Sequence, residues 1–348
     1  MGIIVAILIF GFLILIHEFG HYITARIFKV GINEFAIGMG PKLISKKSNK
    51  TGIVYSLRAL PIGGYVNMVG EDEENESEDS LNKKPVWQRF FIMVAGSVMN
   101  LLCGFILVGV LVGMLHNSLG TTKIADLSET SFENGTPFQI GDTIISINGE
   151  KVSTSYDLQY TIFRDGKENN TVKVKRDGKT VTLHNVSFFE TLTETNDKGE
   201  ETEVTRYIFR VEREDFGFLS FFKHTFNRAF TTVEMVWESV IDLISGKYGI
   251  DQMSGPVGIT KEISNAASAG DGGLSLVNLS AIIALNLGVM NLLPFPALDG
   301  GRIVFLIIEG IRRKPLSRDV EGYIHFAGMV LLLLLMLIIT FKDVLKLF

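Results

Sequence analysis

Between Val330 and Ile339 the chain passes through ten residues without one polar side chain, and three other segments are nearly as apolar. A hydrocarbon core of about 30 Å calls for about 20 apolar residues in a helix, which satisfies its own backbone groups. Four segments reach that length, at about 2–28, 91–115, 276–308 and 324–341, the third interrupted by Pro294 and Pro296. Of 348 residues, 47% are hydrophobic and only 20% charged, and the charges concentrate in the middle. A formal net charge of −5 gives no basic footing for nucleic acid. The single cysteine, Cys103, excludes a disulfide scaffold. The expectation is an α-helical integral membrane protein with four transmembrane helices and a soluble insert.

Lysines and arginines in short loops set the orientation. Lys42, Lys46, Lys47, Lys50, Arg58, Lys83, Lys84 and Arg89 lie between the first two spans; Arg312, Arg313, Lys314 and Arg318 lie between the last two. Both loops are therefore expected in the cytoplasm, which puts the insert and both termini outside the cell. The first segment lacks a basic start and carries His17, Glu18 and His21, so it reads as a retained span and not as a cleaved signal peptide.

The insert, about 117–215, reads as mostly β. Residues 143–147 alternate and are followed by the turn dipeptide Asn148-Gly149. A short helix is expected at 156–163, a hairpin at 172–184 around Asp177-Gly178, and a second hairpin turning at 196–199. Beyond it Phe222, Phe226, Phe230, Val233, Trp237, Val240, Ile241 and Ile244 form a stripe at helical spacing, suited either to the membrane interface or to packing on the β domain. The acidic run 71–79 reads as a solvated loop.

The chemistry is concentrated in His17-Glu18-Phe19-Gly20-His21. On a helix His17 and His21 share a face and can hold one zinc through imidazole nitrogens, with Glu18 beside them to take a proton from a water the metal activates. A charged carboxylate inside a span costs on the order of 2–3 kcal/mol, so such residues point to function. Zinc needs a third protein ligand if the fourth position is to stay open. Asp299 is the only carboxylate between Leu274 and Ile308. Entering from outside, His17 lies roughly 22 Å deep at 1.5 Å per residue, and Asp299 comes late in the third span, so both fall in one leaflet. Pro294 and Pro296 break the helix there, which lipid tolerates only where backbone lines protein or a wet cavity. Asn291, one or two turns before Asp299, is placed to donate to a developing oxyanion or to substrate backbone, or else to bond a neighbouring helix. Asn100 and Asn286 read as ordinary interhelical bonds. His116, His184, His224 and His325 have no partners at ligand spacing.

Together these motifs resemble the site-2 protease family of intramembrane zinc metalloproteases, of the bacterial regulator-of-sigma-E type with a single PDZ domain. The resemblance rests on the HExxH run, Pro61-Ile62-Gly63-Gly64-Tyr65-Val66, Ala95-Gly96 with Asn100, Ile140-Gly141-Asp142, Gly255-Pro256-Val257-Gly258, and Asn291 through Gly301. It implies one Zn2+ on His17, His21 and Asp299 with Glu18 as the catalytic base; Asn291 is the second catalytic candidate, on the placement given above. It also implies a membrane-associated β-hairpin over about 34–68 that holds substrate as an extended strand, with Gly63, Gly64, Tyr65, Asn291, Pro294 and Pro296 along its path. The organisation expected is 1–116 with the first two spans and hairpin, 117–215 an extracytoplasmic PDZ-like α+β domain, 216–275 an amphipathic helix and connector, and 276–348 the last two spans. Location in a bacterial inner membrane and single-span substrates pre-trimmed outside, such as anti-sigma factors or signal-peptide remnants, follow from the same resemblance. Ser97 stands where the family commonly has proline. The Asn134-Gly135-Thr136-Pro137-Phe138 stretch departs from the usual PDZ pattern, which favours a size-excluding filter over capture of free C-termini. A catalytically silent adaptor would be expected to have a broken metal set, and a transporter an internal repeat; the chain shows neither.

Overall fold

The computed structural model describes residues 2–71, 76–129, 135–166, 169–195, 201–247, 249 and 253–346. In chain order it forms α1 (Gly2–Ile27), β1 (Ile32–Lys47), β2 (Val54–Met68), α2 (Val86–Met114), β3 (Gly120–Leu127), β4 (Thr143–Ile147), β5 (Glu150–Lys151) and α3 (Ser155–Asp165). There follow β6 (Asn170–Arg176), β7 (Lys179–Val186), β8 (Phe189–Thr195), β9 (Glu201–Tyr207), β10 (Phe209–Arg213), α4 (Phe218–Ile244), α5 (Pro256–Ala267), α6 (Leu274–Asn291), α7 (Asp299–Arg312) and α8 (Arg318–Leu345). The chain divides into two compact bodies, Met1–Val108 with Thr232–Phe348, and Gly109–Thr231.

In the first body, α1, α2, α6 and α8 are long and apolar enough to cross a membrane. Much of the outward surface of α1, α2 and α8 is Ile, Leu, Val, Phe and Met, an apolar face suited to hydrocarbon. The third expected segment resolves into two helices: α6 ends at Asn291, and α7 begins at Asp299 after the Pro294–Pro296 interruption. Proline has no N–H to donate and clashes with the preceding turn, so one helix cannot run through. At its start α2 is five residues longer than expected, taking in Arg89. That charge is accommodated because Arg89 pairs with Glu309 of α7 in a two-pronged ion pair, Nη1 to Oε2 at 3.0 Å. Ala6, Leu13, Ile263, Ile283 and Ala284 pack α1, α5 and α6 into one core. Ala25, Ile32, Val66, Ile92 and Leu306 join the end of α1 to the hairpin, α2 and α7.

The hairpin doubles back on itself. Residues 32–37 lie between 64–68 on one side and 54–57 on the other, and 54–58 also pair with 42–47. Four short strands result, with 64–68 and 42–47 at the edges. Glu34 ties them together: its carboxylate accepts from Ser56 and Arg58 and pairs with Lys42 at 3.0 Å. Burial pushes this carboxyl up, but the hydrogen bonds from Ser56, Lys42, Arg58 and Tyr65 outweigh it and hold the group at about 2. A carboxyl depressed on folding contributes stability that is complete above its unfolded value and lost as pH falls through its folded one. Slow amide exchange in the hairpin is therefore expected to hold down to about pH 4.3 and to fade from there toward pH 2. In Glu34→Gln the protection, exchange measured against the intrinsic rate, should be weaker at pH 7 and flat across that window; an unchanged pH response would show that Glu34 does not clasp the strands.

The second body is a sheet in the order β10-β3-β4-β6-β7, with β5 on β4, a separate β8–β9 hairpin, and α3 against it. Ile124, Ile144, Ile147, Leu158, Ile162, Val172 and Phe188 form its core. The expected strand at 143–147 and the hairpin at 172–184 are present, and α3 covers the expected short helix. Its start is fixed by Asp157, whose carboxylate accepts from Thr154 N–H at 2.8 Å. The expected 196–199 turn lies outside the described residues, as do Asn134 and residues 72–75 of the acidic run.

Along α4 the aromatic stripe is not the buried face. Ser220, His224, Thr225, Thr231 and Thr232 are buried, whereas Phe230 is 68% exposed and Trp237 51%.

Candidate active site

His17, Glu18 and His21 stand on an uninterrupted helix, so the two histidines project one turn apart on the same side. Their Nε2 atoms are 3.2 Å apart. Asp299 Oδ2 lies 3.0 Å from His17 Nε2 and 3.3 Å from His21 Nε2. A tetrahedral ion with bonds of about 2.0–2.1 Å has ligand-to-ligand edges of roughly 3.3 Å, so the triangle has the dimensions zinc requires. Asp299 Oδ2 is also buried without a hydrogen-bond partner, a costly state for a carboxylate unless a cation takes it up. These three residues are the one group among those described that brings three metal-binding atoms together.

Close approach of α2 completes the cradle. A Cβ on Gly96 would sit 2.5 Å from His21 Nε2 and 2.7 Å from His17 Nε2. One turn earlier, the Ile92 carbonyl lies 2.8 Å from His21 Nδ1. A carbonyl only accepts, so His21 carries its proton on Nδ1 and leaves Nε2 bare, the tautomer a metal needs. One turn later, the Asn100 amide lies 3.4 Å from His17 Nδ1, and the Asn291 amide reaches the same atom at 3.5 Å. Asn100 is thus drawn to the site, not merely to a neighbouring helix.

Asp299 is the first residue of α7, where the helix dipole favours a negative charge. The turn before it is tight: Phe295 N–H bonds Leu293 O, Leu298 N–H bonds Phe295 O, and a Cβ on Gly300 would strike Leu293 O. On the hairpin side, the edge segment 64–68 runs beside Glu18. A Cβ on Gly64 would lie 3.5 Å from Glu18 Cγ, and the Val66 backbone faces the Glu18 carboxylate. Gly63 turns the chain into that edge at φ +85°. The Tyr65 phenol is engaged with Arg58, and its ring lies under that guanidinium at 5.0 Å, so it belongs to the Glu34 cluster. Pro294 and Pro296 sit in the turn that leads to Asp299.

The other histidines have partners of their own. His224 pairs with Glu214 at 3.0 Å, His184 approaches the Thr171 hydroxyl, and His116 packs on Phe216. His325 accepts a hydrogen bond from Ala297 N–H. Gly96, the Ile92 carbonyl and His325 were not singled out from sequence as site residues. For Gly96 and Asn100 a signal existed, since positions 92, 96 and 100 fall on one helical face. A backbone carbonyl leaves no mark in the sequence.

Residues 5–335 match the model of peptidase family M50. A Fusobacterium nucleatum protein named as a zinc metalloprotease is 35% identical over the full length of both chains. The regulator of sigma-W protease RasP of Bacillus subtilis is 30% identical over 99% of each. A second protein named as a zinc metalloprotease, from Clostridium acetobutylicum, is 36% identical over 99% of this chain and 97% of its own. Four membrane-length helices, a histidine–aspartate triangle of zinc dimensions and these likenesses agree on an intramembrane zinc-dependent peptidase. The chain belongs to peptidase family M50, the site-2 protease family of intramembrane zinc metalloproteases.

Proposed function

We propose that His17, His21 and Asp299 hold the zinc and that Glu18 is the catalytic base in the hydrolysis of peptide bonds within or near substrate transmembrane segments. The observation that carries this reading is the triangle formed by the two imidazole Nε2 atoms and the Asp299 carboxylate oxygen, which has no other partner. Zinc, when bound, lowers the pKa of water toward about 7 and polarises the scissile carbonyl. Glu18 takes the proton of the attacking water and passes it to the leaving amine nitrogen. Asn291 donates its amide N–H to the oxygen on which charge develops. A peptide bond within a helix is shielded by its own hydrogen bonds, so the substrate must unwind first. The edge strand 64–68, with Gly63, Gly64 and Tyr65 at its start, offers unwound substrate a strand to pair with, and Pro294 and Pro296 lie on the turn before Asp299.

The same reading extends to topology and substrates. The hairpin side faces the cytoplasm, and the termini and the β-rich body lie outside a bacterial cell membrane, following the Lys/Arg bias of the short loops. The parts are 1–116, 117–215, 216–275 and 276–348. The second is PDZ-like, supported by a groove of about 220 Å³ between α3 and the edge strand β10. It acts as a filter that passes substrates already trimmed outside. The exposed aromatic face of α4 rests in the membrane interface, where amphipathic aromatic helices settle. Substrates are single-span membrane proteins; the name of the Bacillus relative points to regulators of sigma factors, that is, anti-sigma factors.

Metal analysis of detergent-purified protein alongside cleavage of a transmembrane reporter tests the site. Wild-type protein should hold one zinc per chain, lose cleavage on chelation and regain it with zinc. Asp299→Asn should lose most of its zinc and its cleavage together, because a neutral amide is a poor ligand. Full zinc and full cleavage in that variant would require a different third ligand.

A further inference from the structure

The turn that delivers Asp299 is held by a helix that contributes no ligand to the metal. On α8, His325 Nδ1 accepts a hydrogen bond from Ala297 N–H at 2.9 Å. Ala297 lies two residues before Asp299 and has φ +78°, a conformation that non-glycine residues rarely adopt. Such a backbone persists only where its surroundings over-determine it. Three contacts do so here. The imidazole accepts the Ala297 N–H, the same ring packs edge-on against Phe305 of α7 at 5.3 Å, and one turn along α8 the bare backbone of Gly328 receives Pro296. A Cβ at position 328 would lie 2.5 Å from Pro296 Cβ. The His325 Nε2 is buried without a hydrogen-bond partner, 3.9 Å from Glu321, so the ring's one hydrogen bond is spent on the turn.

We propose that His325 is a positioning residue of this peptidase: by accepting the Ala297 N–H it fixes the 292–298 turn in the conformation that aims Asp299 at His17 and His21. Without that acceptor the Ala297 N–H is left unpaired and φ at Ala297 relaxes to negative values. The first turn of α7 then shifts, and Asp299 moves off the imidazoles. The inference rests on Asp299 being a metal ligand.

The test compares zinc retained by purified full-length protein under a chelator challenge, with reporter cleavage measured in parallel. His325→Leu keeps an apolar side chain of comparable bulk and removes the acceptor. Its zinc affinity is expected to fall by about 10–100-fold, as when partners that orient metal ligands are removed, with cleavage falling in step. His325→Asn places its side-chain oxygen where Nδ1 stands and is expected to restore both, a rescue that mere filling of space would not produce. Wild-type zinc retention in His325→Leu, or equal loss in the leucine and asparagine variants, would overturn the proposal. Asp299→Asn run in the same series separates the two levels: if it keeps its zinc, the ligand assignment has failed, whatever His325 does.

Discussion

Glu18→Gln is expected to leave the zinc in place and to slow cleavage of a transmembrane reporter by a factor of about 10² to 10⁴, the range attributed to a positioned general base. The glutamine has the same shape, so the α1 helix and the contact with the 64–68 edge survive. What it lacks is any capacity to accept a proton at the operating pH. The affected step is therefore proton removal from the attacking water, not the holding of metal or substrate. The expected signature is a fall in kcat with zinc stoichiometry and KM near the wild-type values. Undiminished turnover would remove Glu18 from the chemistry; loss of zinc would recast it as a ligand or a structural group.

This separation of roles has a geometric basis. His17 and His21 point their Nε2 atoms at Asp299 Oδ2, whereas the Glu18 carboxylate turns toward the hairpin edge and the Val66 backbone. A base must reach both the water and the leaving nitrogen, so it belongs between the metal triangle and the strand along which an extended substrate would lie. Glu18 lies beside that strand, with Gly64 on the edge close enough that a Cβ there would stand 3.5 Å from its Cγ.

How much of this could be read in the residues follows from how local each feature is. The HExxH pair is legible because its geometry is fixed by helical periodicity alone. Asp299 is legible by elimination, as the one carboxylate of its segment. The division of that segment into α6 and α7 follows from two prolines. Features that depend on distant partners were hidden. Arg89 looks too polar for a membrane helix until Glu309, 220 residues away, neutralises it. The Ile92 carbonyl that sets the His21 tautomer is common to every residue type. His325 reads as a lone histidine until the positive φ of Ala297 shows what it holds. The α4 stripe illustrates a different limit: periodicity reveals an amphipathic helix but not which face the protein covers, and here it covers the small and polar one.

Gly96→Ala is expected to destroy metal binding without harming the fold. Alanine is the better helix former by about 1 kcal/mol, so α2 itself should be strengthened. The added methyl, however, would enter the space between the imidazoles, 2.5 Å from His21 Nε2 and 2.7 Å from His17 Nε2 and Cε1. His21 cannot swing aside, because its Nδ1 is held by the Ile92 carbonyl on the same helix. Moving α2 away would break the close packing of Gly20 on α1 against the Ala95 carbonyl, where a Cβ would come within 2.4 Å. His17 must therefore turn or the His21–Ile92 bond must break, and zinc affinity should drop by about 100-fold, with cleavage lost. Thermal unfolding of the metal-free protein should show no decrease. Gly113→Ala, on the same helix with open space around it, serves as the control and should keep both zinc and activity. A Gly96→Ala protein with wild-type zinc content would mean that the α1–α2 contact is looser than the histidine geometry requires, and that the cradle does not depend on the missing side chain.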